Sequence, residues 1–97
     1  MKLRIQKTRQ VKTPTRSHQY DAGLDFYIPE DMPWDTFTIW PGTQLLIPTG
    51  IKADIPEGFA LFCFERSSMA TKGLICGARV CDAEYQGEIH MHVMNPT

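Results

Sequence analysis

Residues 51–64 have the sequence Ile-Lys-Ala-Asp-Ile-Pro-Glu-Gly-Phe-Ala-Leu-Phe-Cys-Phe, and this stretch decides the fold class. Apolar and polar residues alternate over 51–55, which is typical of a strand with one solvated face. The Pro and Gly that follow indicate a turn. The unbroken apolar run over 59–64 predicts a second strand, buried on both faces.

The same alternation recurs outside this stretch, over residues 1–6, 36–39 and 89–94. Seven Pro and seven Gly leave no room for an amphipathic helix of ordinary length. Many short strands separated by turns predict an all-β sandwich or barrel, with residues 1–97 forming one domain. Because the chain stops soon after the last predicted strand, we expect that strand to leave an unpaired edge.

Composition narrows the class of protein. The 97 residues are 42% hydrophobic and 22% charged, which is ordinary globular usage, and the net charge of -1 argues against a direct nucleic-acid binder. Basic residues near the N-terminus are interpreted as the solvated face of an edge strand. No apolar run approaches the length of a membrane span, and three cysteines without a Cys-x-x-Cys spacing predict a reducing, cytoplasmic location.

Two polar segments between the predicted strands carry side chains suited to chemistry. Asp25 lies between apolar residues and is interpreted as a turn acceptor or as a carboxylate held for a metal or its waters, with the turn favoured. Residues 65–73 contain Arg66, Ser67, Ser68 and a lysine, which together offer the charge and donors that a polyphosphate needs. A serine-rich loop that satisfies its own backbone explains the segment equally well.

A third polar segment, residues 77–88, predicts a hairpin around an acidic turn. Asp82 follows two apolar residues at a strand end, where a carboxylate can be partly desolvated and act as a base. Tyr85 offers a flat face for a base or sugar. The alternative is an acidic hairpin tip with a core tyrosine.

In this order, the three segments resemble the motifs of the dUTPase family. Residues 22–26 (Ala-Gly-Leu-Asp-Phe) resemble its first motif, Ala-Gly-Tyr-Asp-Leu. Residues 66–70 (Arg-Ser-Ser-Met-Ala) resemble the second, Arg-Ser-Ser/Gly-Leu-Ala. Residues 80–88 (Val-Cys-Asp-Ala-Glu-Tyr-Gln-Gly-Glu) resemble the third, Val-Ile-Asp-x-Asp-Tyr-Arg/Gln-Gly-x. The resemblance covers nearly the whole chain.

This resemblance implies a β-clip or jelly-roll barrel, a homotrimer, and Mg²⁺-dependent hydrolysis of dUTP to dUMP and pyrophosphate. Such an activity limits uracil in DNA and supplies dUMP for thymidylate. Asp82 is implied to deprotonate the attacking water, Tyr85 to exclude a ribose 2′-hydroxyl, and Asp25 to contact Mg²⁺ through water. The remaining implied substrate-binding residues are Arg66, Ser67 and Ser68 for phosphate, and Gly77, Ala78, Val80 and Cys81 around the uracil.

The sequence also departs from the family pattern. Glu65 stands where the family usually has Pro, and Arg79 replaces a Gly beside the implied uracil pocket. A fourth motif, Gly-Asp-Arg-Ile-Ala-Gln, and a Gly-rich fifth motif do not follow Asn95. We therefore expect a fold that is incomplete at its C-terminus. The chain is then either a hydrolase, alone or with a second polypeptide supplying those motifs, or an inactive nucleotide-binding fragment.

Deoxycytidine triphosphate deaminases share the Arg-Ser-Ser-x-Ala-x-x-Gly-Leu pattern of residues 66–74. In that family a catalytic Glu occupies the place of His92, and a Gly-Phe or Gly-Trp pair replaces Tyr85. Deamination is therefore the weaker hypothesis. His90 and His92 share a strand face but have no evident third ligand, so we predict no zinc site.

Overall fold

The structure is a computed structural model that describes residues 3–32, 38–77 and 79–96. Over these ranges the chain forms seven strands and one short helix. In chain order the elements are β1 (Arg4–Lys7), β2 (Thr43–Pro48), β3 (Ile51–Asp54), β4 (Ala60–Cys63), α1 (Ser67–Thr71), β5 (Ile75–Cys76), β6 (Arg79–Asp82) and β7 (His90–Asn95).

The strands pair into three small antiparallel sheets. β1 pairs with β3, β4 pairs with β6, and β7 lies between β2 and β5. The predicted all-β class is confirmed. Within the described ranges the three sheets do not form a closed barrel.

A small apolar core holds the sheets together. Its members come from the segment after β1, from β3 and the residue after it, from β6 and from the residue before β7. Phe26, Tyr27 and Leu61 pack against its edge. The core side chains are Val11, Ile51, Ile55, Cys81 and Ile89, each at most 7% exposed. Burial of these side chains removes apolar surface from water, which is the main stabilising contribution in a chain this small.

The alternation over 51–55 gives the predicted strand. Ile51 at the start of β3 is 1% exposed, whereas Asp54 at its end is exposed. The strand predicted over 36–39 is not found in its described part, because residues 38–40 lie outside any strand, and residues 36 and 37 fall outside the described ranges.

The apolar run over 59–64 forms β4, but the prediction that it is buried on both faces is wrong. Phe62 is 60% exposed and Phe64 is 74% exposed. The strand buries only one face: Leu61 and Cys63 pack against the core, whereas Ala60 and Phe62 on the other face are exposed. The two rings stack on each other, with centroids 6.4 Å apart.

Two expectations about the last third of the chain are also wrong. Residues 77–88 do not close a hairpin, because β6 pairs with β4 whereas β7 pairs with β2 and β5. The residues after Asp82 therefore cross from one sheet to another. For the same reason β7 is a central strand and not an unpaired edge.

Over residues 3–32, 38–77 and 79–96, helical structure is confined to α1, which has five residues, as the density of Pro and Gly predicts. In the part of the chain that the structure describes, no helix combines the length and the hydropathy needed to span a membrane.

Candidate functional site

Asp82 lies at the end of β6, where the strand leaves the core. Cys81, the residue before it, is 7% exposed, whereas the Asp82 side chain is exposed. Because successive side chains of a strand point to opposite faces, the burial of Cys81 directs Asp82 outward. The pairing of Asp82 with Ala60 of β4 fixes its backbone. The structure thus presents an exposed carboxylate at a paired strand end, where it can meet water.

Tyr85 is held by the turn that follows β6. Its backbone N–H donates to the Asp82 carbonyl at 3.0 Å. Its hydroxyl donates to the Glu88 carbonyl at 2.8 Å. A Cβ on Gly87 would lie only 2.7 Å from the Tyr85 hydroxyl oxygen, so the absence of a side chain there lets the ring fold back against the chain.

A small cavity of about 60 Å³ is lined by Val80, Cys81, Tyr85 and His90. Three of these residues were predicted from sequence to bind substrate, and the structure brings them together. The cavity is far smaller than the roughly 300 Å³ at which ligand pockets usually begin. The described part of one chain therefore does not enclose a nucleotide-sized pocket at this place.

Glu88 forms an ionic cluster beside this cavity that sequence reasoning missed. Its carboxylate accepts hydrogen bonds from Arg9 Nε at 2.8 Å and from Thr8 Oγ1 at 2.6 Å. The Arg9 hydrogen bond, and after it that of Thr8, hold the pKa of Glu88 below its ordinary value. His90 Nε2 lies 3.6 Å from the same carboxylate. Arg9 belongs to the basic N-terminal residues that the sequence analysis assigned to a solvated strand face, so no local pattern marked it.

The second motif forms the start of α1. Arg66 is the N-cap, and its carbonyl accepts from the N–H groups of Met69 and Ala70 at 2.9 and 3.0 Å. The side chains of Arg66, Ser67 and Ser68 are exposed. Exposed cationic and hydroxyl groups at a helix start are suited to phosphate oxygens.

Glu65, the residue that replaces the family's Pro, has a structural role. Its Oε2 accepts a hydrogen bond of 2.7 Å from the Cys76 backbone N–H. This bond ties the segment before α1 to β5.

Gly77 continues the pairing between β5 and β7. Its N–H donates to the His92 carbonyl at 2.7 Å, and a Cβ on it would lie 2.6 Å from His92 Nδ1. The Gly77 N–H is therefore engaged by the fold. Ala78, also assigned to substrate, lies outside the described residues. His92 additionally contacts the side-chain oxygen of Gln44.

Asp25 occupies a partly buried position in the first motif. Its backbone forms an antiparallel bridge with Thr15, and its Oδ2 accepts a hydrogen bond of 2.6 Å from Ser17. These contacts orient the carboxylate. Over residues 3–32, 38–77 and 79–96, no group of three or more His, Cys, Asp or Glu side chains forms a metal cluster.

No ion pair joins the first two motifs to the third in the described part of the chain. In the described ranges Arg9 pairs with Asp31 and Glu88, and His90 lies beside Glu88. Within these ranges Arg66 forms no such pair with Asp25 or Asp82. The structure unites the members of the third motif around the cavity and leaves the other two motifs on separate segments.

Comparison with known proteins places this arrangement in context. The family model described as dUTPase matches residues 9–97. The deoxyuridine 5′-triphosphate nucleotidohydrolase of variola virus is 35% identical over 95 residues, which are 94% of this chain and 58% of the viral protein. The protein of that name from Mycolicibacterium vanbaalenii is 32% identical over 94 residues, again 94% of this chain and 58% of the relative.

Solved structures give the same result. The dUTPase from phage phi11 of S. aureus matches with a TM-score of 0.87 and 26% identity, covering 100% of this chain and 61% of that chain. A mutant of the phi11 enzyme, described as coordinating a structural Mg(II) ion, matches with a TM-score of 0.86. This chain spans about three fifths of the length of these relatives.

Proposed function

The chain belongs to the dUTPase family, and from this premise we propose that it hydrolyses dUTP to dUMP and pyrophosphate. The observation that carries the proposal is the exposed Asp82 carboxylate at the end of β6, one residue beyond Cys81, which lines the cavity together with Tyr85. Such an activity limits uracil in DNA and supplies dUMP for thymidylate. A cytoplasmic location is part of the proposal and rests on composition.

In this proposal Asp82 takes a proton from the water that attacks the triphosphate. The carboxylate is solvent-accessible, and the pairing with Ala60 holds its backbone, so a water can be positioned without rearrangement of the strand. Tyr85 packs against the deoxyribose and crowds out a 2′-hydroxyl. Val80 and Cys81 border the uracil, together with Gly77 and Ala78.

The phosphates are assigned to Arg66, Ser67 and Ser68, whose side chains are exposed and offer several donors. Asp25 is assigned to Mg²⁺ through water. Mg²⁺ keeps several waters and uses only one or two carboxylates beside substrate phosphates, so a single carboxylate oriented by Ser17 fits this role. When bound, the metal neutralises triphosphate charge and stabilises the departing pyrophosphate.

A homotrimer is the assembly that we propose. Two observations support a neighbouring copy: one chain encloses only about 60 Å³ beside Tyr85, and Phe62 and Phe64 form an exposed stacked pair. Exposed apolar side chains that lie together mark interaction surfaces. A second copy would cover such a surface and add a further wall to the site.

The proposal is tested by pyrophosphate release from dUTP with Mg²⁺, beside dCTP and dTTP. Asp82→Asn should lower kcat by at least about a hundredfold. Asp54→Asn is the matched control, because Asp54 is also an exposed carboxylate at a strand end but lies on β3. Release from dUTP that survives Asp82→Asn would remove Asp82 from the mechanism.

Absence of release from the wild-type chain at high concentration would instead favour the alternative hypothesis. In that case residues 1–97 form a nucleotide-binding domain that needs a second polypeptide. Release of ammonia from dCTP would point to the deaminase relatives.

A further inference from the structure

Resting on the proposed function, we propose that Thr8, Arg9 and Glu88 form an anchor that positions Tyr85 and so contributes to discrimination between deoxyribose and ribose. The Thr8–Arg9–Glu88 anchor joins the end of β1 to the segment between β6 and β7. The three residues do not contact the cavity themselves, so their role is positioning.

The anchor is tightly bonded. Arg9 uses two nitrogens on the two oxygens of Glu88, with Nε–Oε2 at 2.8 Å and Nη2–Oε1 at 3.3 Å. Thr8 Oγ1 adds a third hydrogen bond at 2.6 Å. The Glu88 side chain is only 14% exposed. A two-pronged charge-assisted contact in a partly buried place fixes orientation as well as distance.

The backbone of Glu88 connects the anchor to the cavity. Its carbonyl accepts from the Tyr85 hydroxyl at 2.8 Å and lies 2.9 Å from His90 Nδ1. Tyr85 and His90 are two of the four residues that line the cavity. A single carbonyl thus sets the position of two cavity walls, provided that His90 carries its proton on Nδ1.

Gly87 confines the Tyr85 ring from the other side. A Cβ there would lie 2.7 Å from the hydroxyl oxygen and 2.9 Å from Cζ of Tyr85. The ring therefore rests against a bare backbone while its hydroxyl is held by Glu88. Movement of Glu88 would release the ring from this position.

Asp31 provides a matched control. Its Oδ2 accepts a hydrogen bond of 3.3 Å from Arg9 Nη1. The two bonds to Glu88 use the other two nitrogens of the same guanidinium. Asp31→Asn removes one ion pair from Arg9 and leaves both bonds to Glu88 intact. Any effect specific to the anchor should therefore appear in Arg9→Gln and not in Asp31→Asn.

The first measurement reports the environment of the Tyr85 ring and does not depend on enzymatic activity. The full chain contains three tyrosines, so ring-labelled tyrosine gives a simple NMR spectrum. We expect Arg9→Gln and Glu88→Gln to shift or broaden the Tyr85 ring signals, while Tyr20, which is 90% exposed, stays unchanged. Unaltered Tyr85 signals in a folded Arg9→Gln chain would overturn the proposal.

The second measurement reads selectivity, as the ratio of kcat/KM for dUTP to that for UTP. We expect Arg9→Gln to lower this ratio about tenfold and Asp31→Asn to leave it within about twofold. Arg9→Lys should give a ratio between those of Arg9→Gln and the wild type, because a lysine ammonium cannot make the two-pronged contact of the guanidinium. Tyr85→Phe keeps the ring but loses the hydroxyl bond, so adding Arg9→Gln to it should change the ratio little further.

The outcomes separate this proposal from the proposed function. A merely structural role would lower the melting temperature and both kcat/KM values together, with the ratio unchanged, and would refute positioning. If the wild-type chain hydrolyses neither nucleotide, the proposed function fails by itself. The tyrosine spectra then decide alone whether the anchor holds the ring.

Discussion

The Thr49 hydroxyl donates a hydrogen bond of 2.7 Å to the backbone carbonyl of Ile89, forty residues later in the chain. Thr49 is 3% exposed and Ile89 is 1% exposed, so neither group can turn to water instead. The same carbonyl also accepts from the Thr49 N–H at 3.0 Å. This contact fastens the turn between β2 and β3 to the residue that precedes β7 and follows Glu88.

We therefore expect Thr49→Val to lower the free energy of unfolding by about 1–2 kcal/mol, because the buried Ile89 carbonyl loses one of its two donors and the Ile51 N–H loses the hydroxyl as an acceptor. Urea denaturation measures the change. Thr49→Ser keeps the hydroxyl and should retain most of that hydrogen bond. A Thr49→Val chain as stable as the wild type would show that the hydroxyl contributes nothing.

A second prediction concerns Gly77, whose Cα faces the His92 ring. Gly77→Ala would place a Cβ 2.6 Å from Nδ1, and the contact of His92 with Gln44 restrains the ring from moving aside. Overpacking of this kind costs about 1–3 kcal/mol. Gly23→Ala is the control, because a Cβ there meets nothing within 4 Å.

The cause can be isolated with a double variant, again by urea denaturation. If the ring is the obstacle, Gly77→Ala should cost much less in a His92→Ala background than alone. Additive losses would show instead that the backbone at Gly77 needs glycine for another reason.

The sequence pattern predicted strands where alternation is strict, as in β3, because one buried face forces a period of two. Strand partners were not predictable in this way. Nothing local distinguishes a segment that closes a hairpin from one that crosses between sheets. For this reason the sequence predicts a hairpin after Asp82, where the chain instead crosses to another sheet.

The sequence predicts only those parts of the candidate site whose residues lie close together along the chain. Val80, Cys81 and Tyr85 lie within six positions of one another and meet at the cavity. The contact of Arg9 with Glu88 spans 79 positions and has no sequence signature, so only the fold reveals it. An unbroken apolar run such as 59–64 likewise does not show which of its side chains face the core, and the structure leaves Phe62 and Phe64 exposed.

A third prediction follows from that run. Phe62 and Phe64 are exposed and stacked, so serine at either position should weaken self-association while changing the stability of the isolated chain little. Burial of a phenylalanine contributes about 1.5–3 kcal/mol, which corresponds to roughly a 10- to 150-fold weaker dissociation constant. Sedimentation over a range of concentrations measures the change.

Phe26→Ser is the matched control for this prediction. Phe26 packs against the core, so its loss should lower the free energy of unfolding of each chain and not the association alone. A Phe62→Ser chain that associates as strongly as the wild type would exclude this face as the contact between copies.

The last prediction concerns the pH dependence of stability. The hydrogen bond from Arg9, and after it that from Thr8, depress the pKa of Glu88 in the folded chain. The unfolded chain, with an ordinary glutamate pKa of about 4.3, then binds the proton more readily than the folded one. The stabilisation is therefore complete above about pH 4.3 and is lost as the pH falls through the folded value.

Urea denaturation between pH 7 and pH 3 should show a steeper loss of stability for the wild type than for Glu88→Gln. Glu57→Gln, which removes an exposed glutamate from the turn after β3, should follow the wild-type curve. Parallel curves for the wild type and Glu88→Gln would mean that the anchor contributes nothing to acid sensitivity.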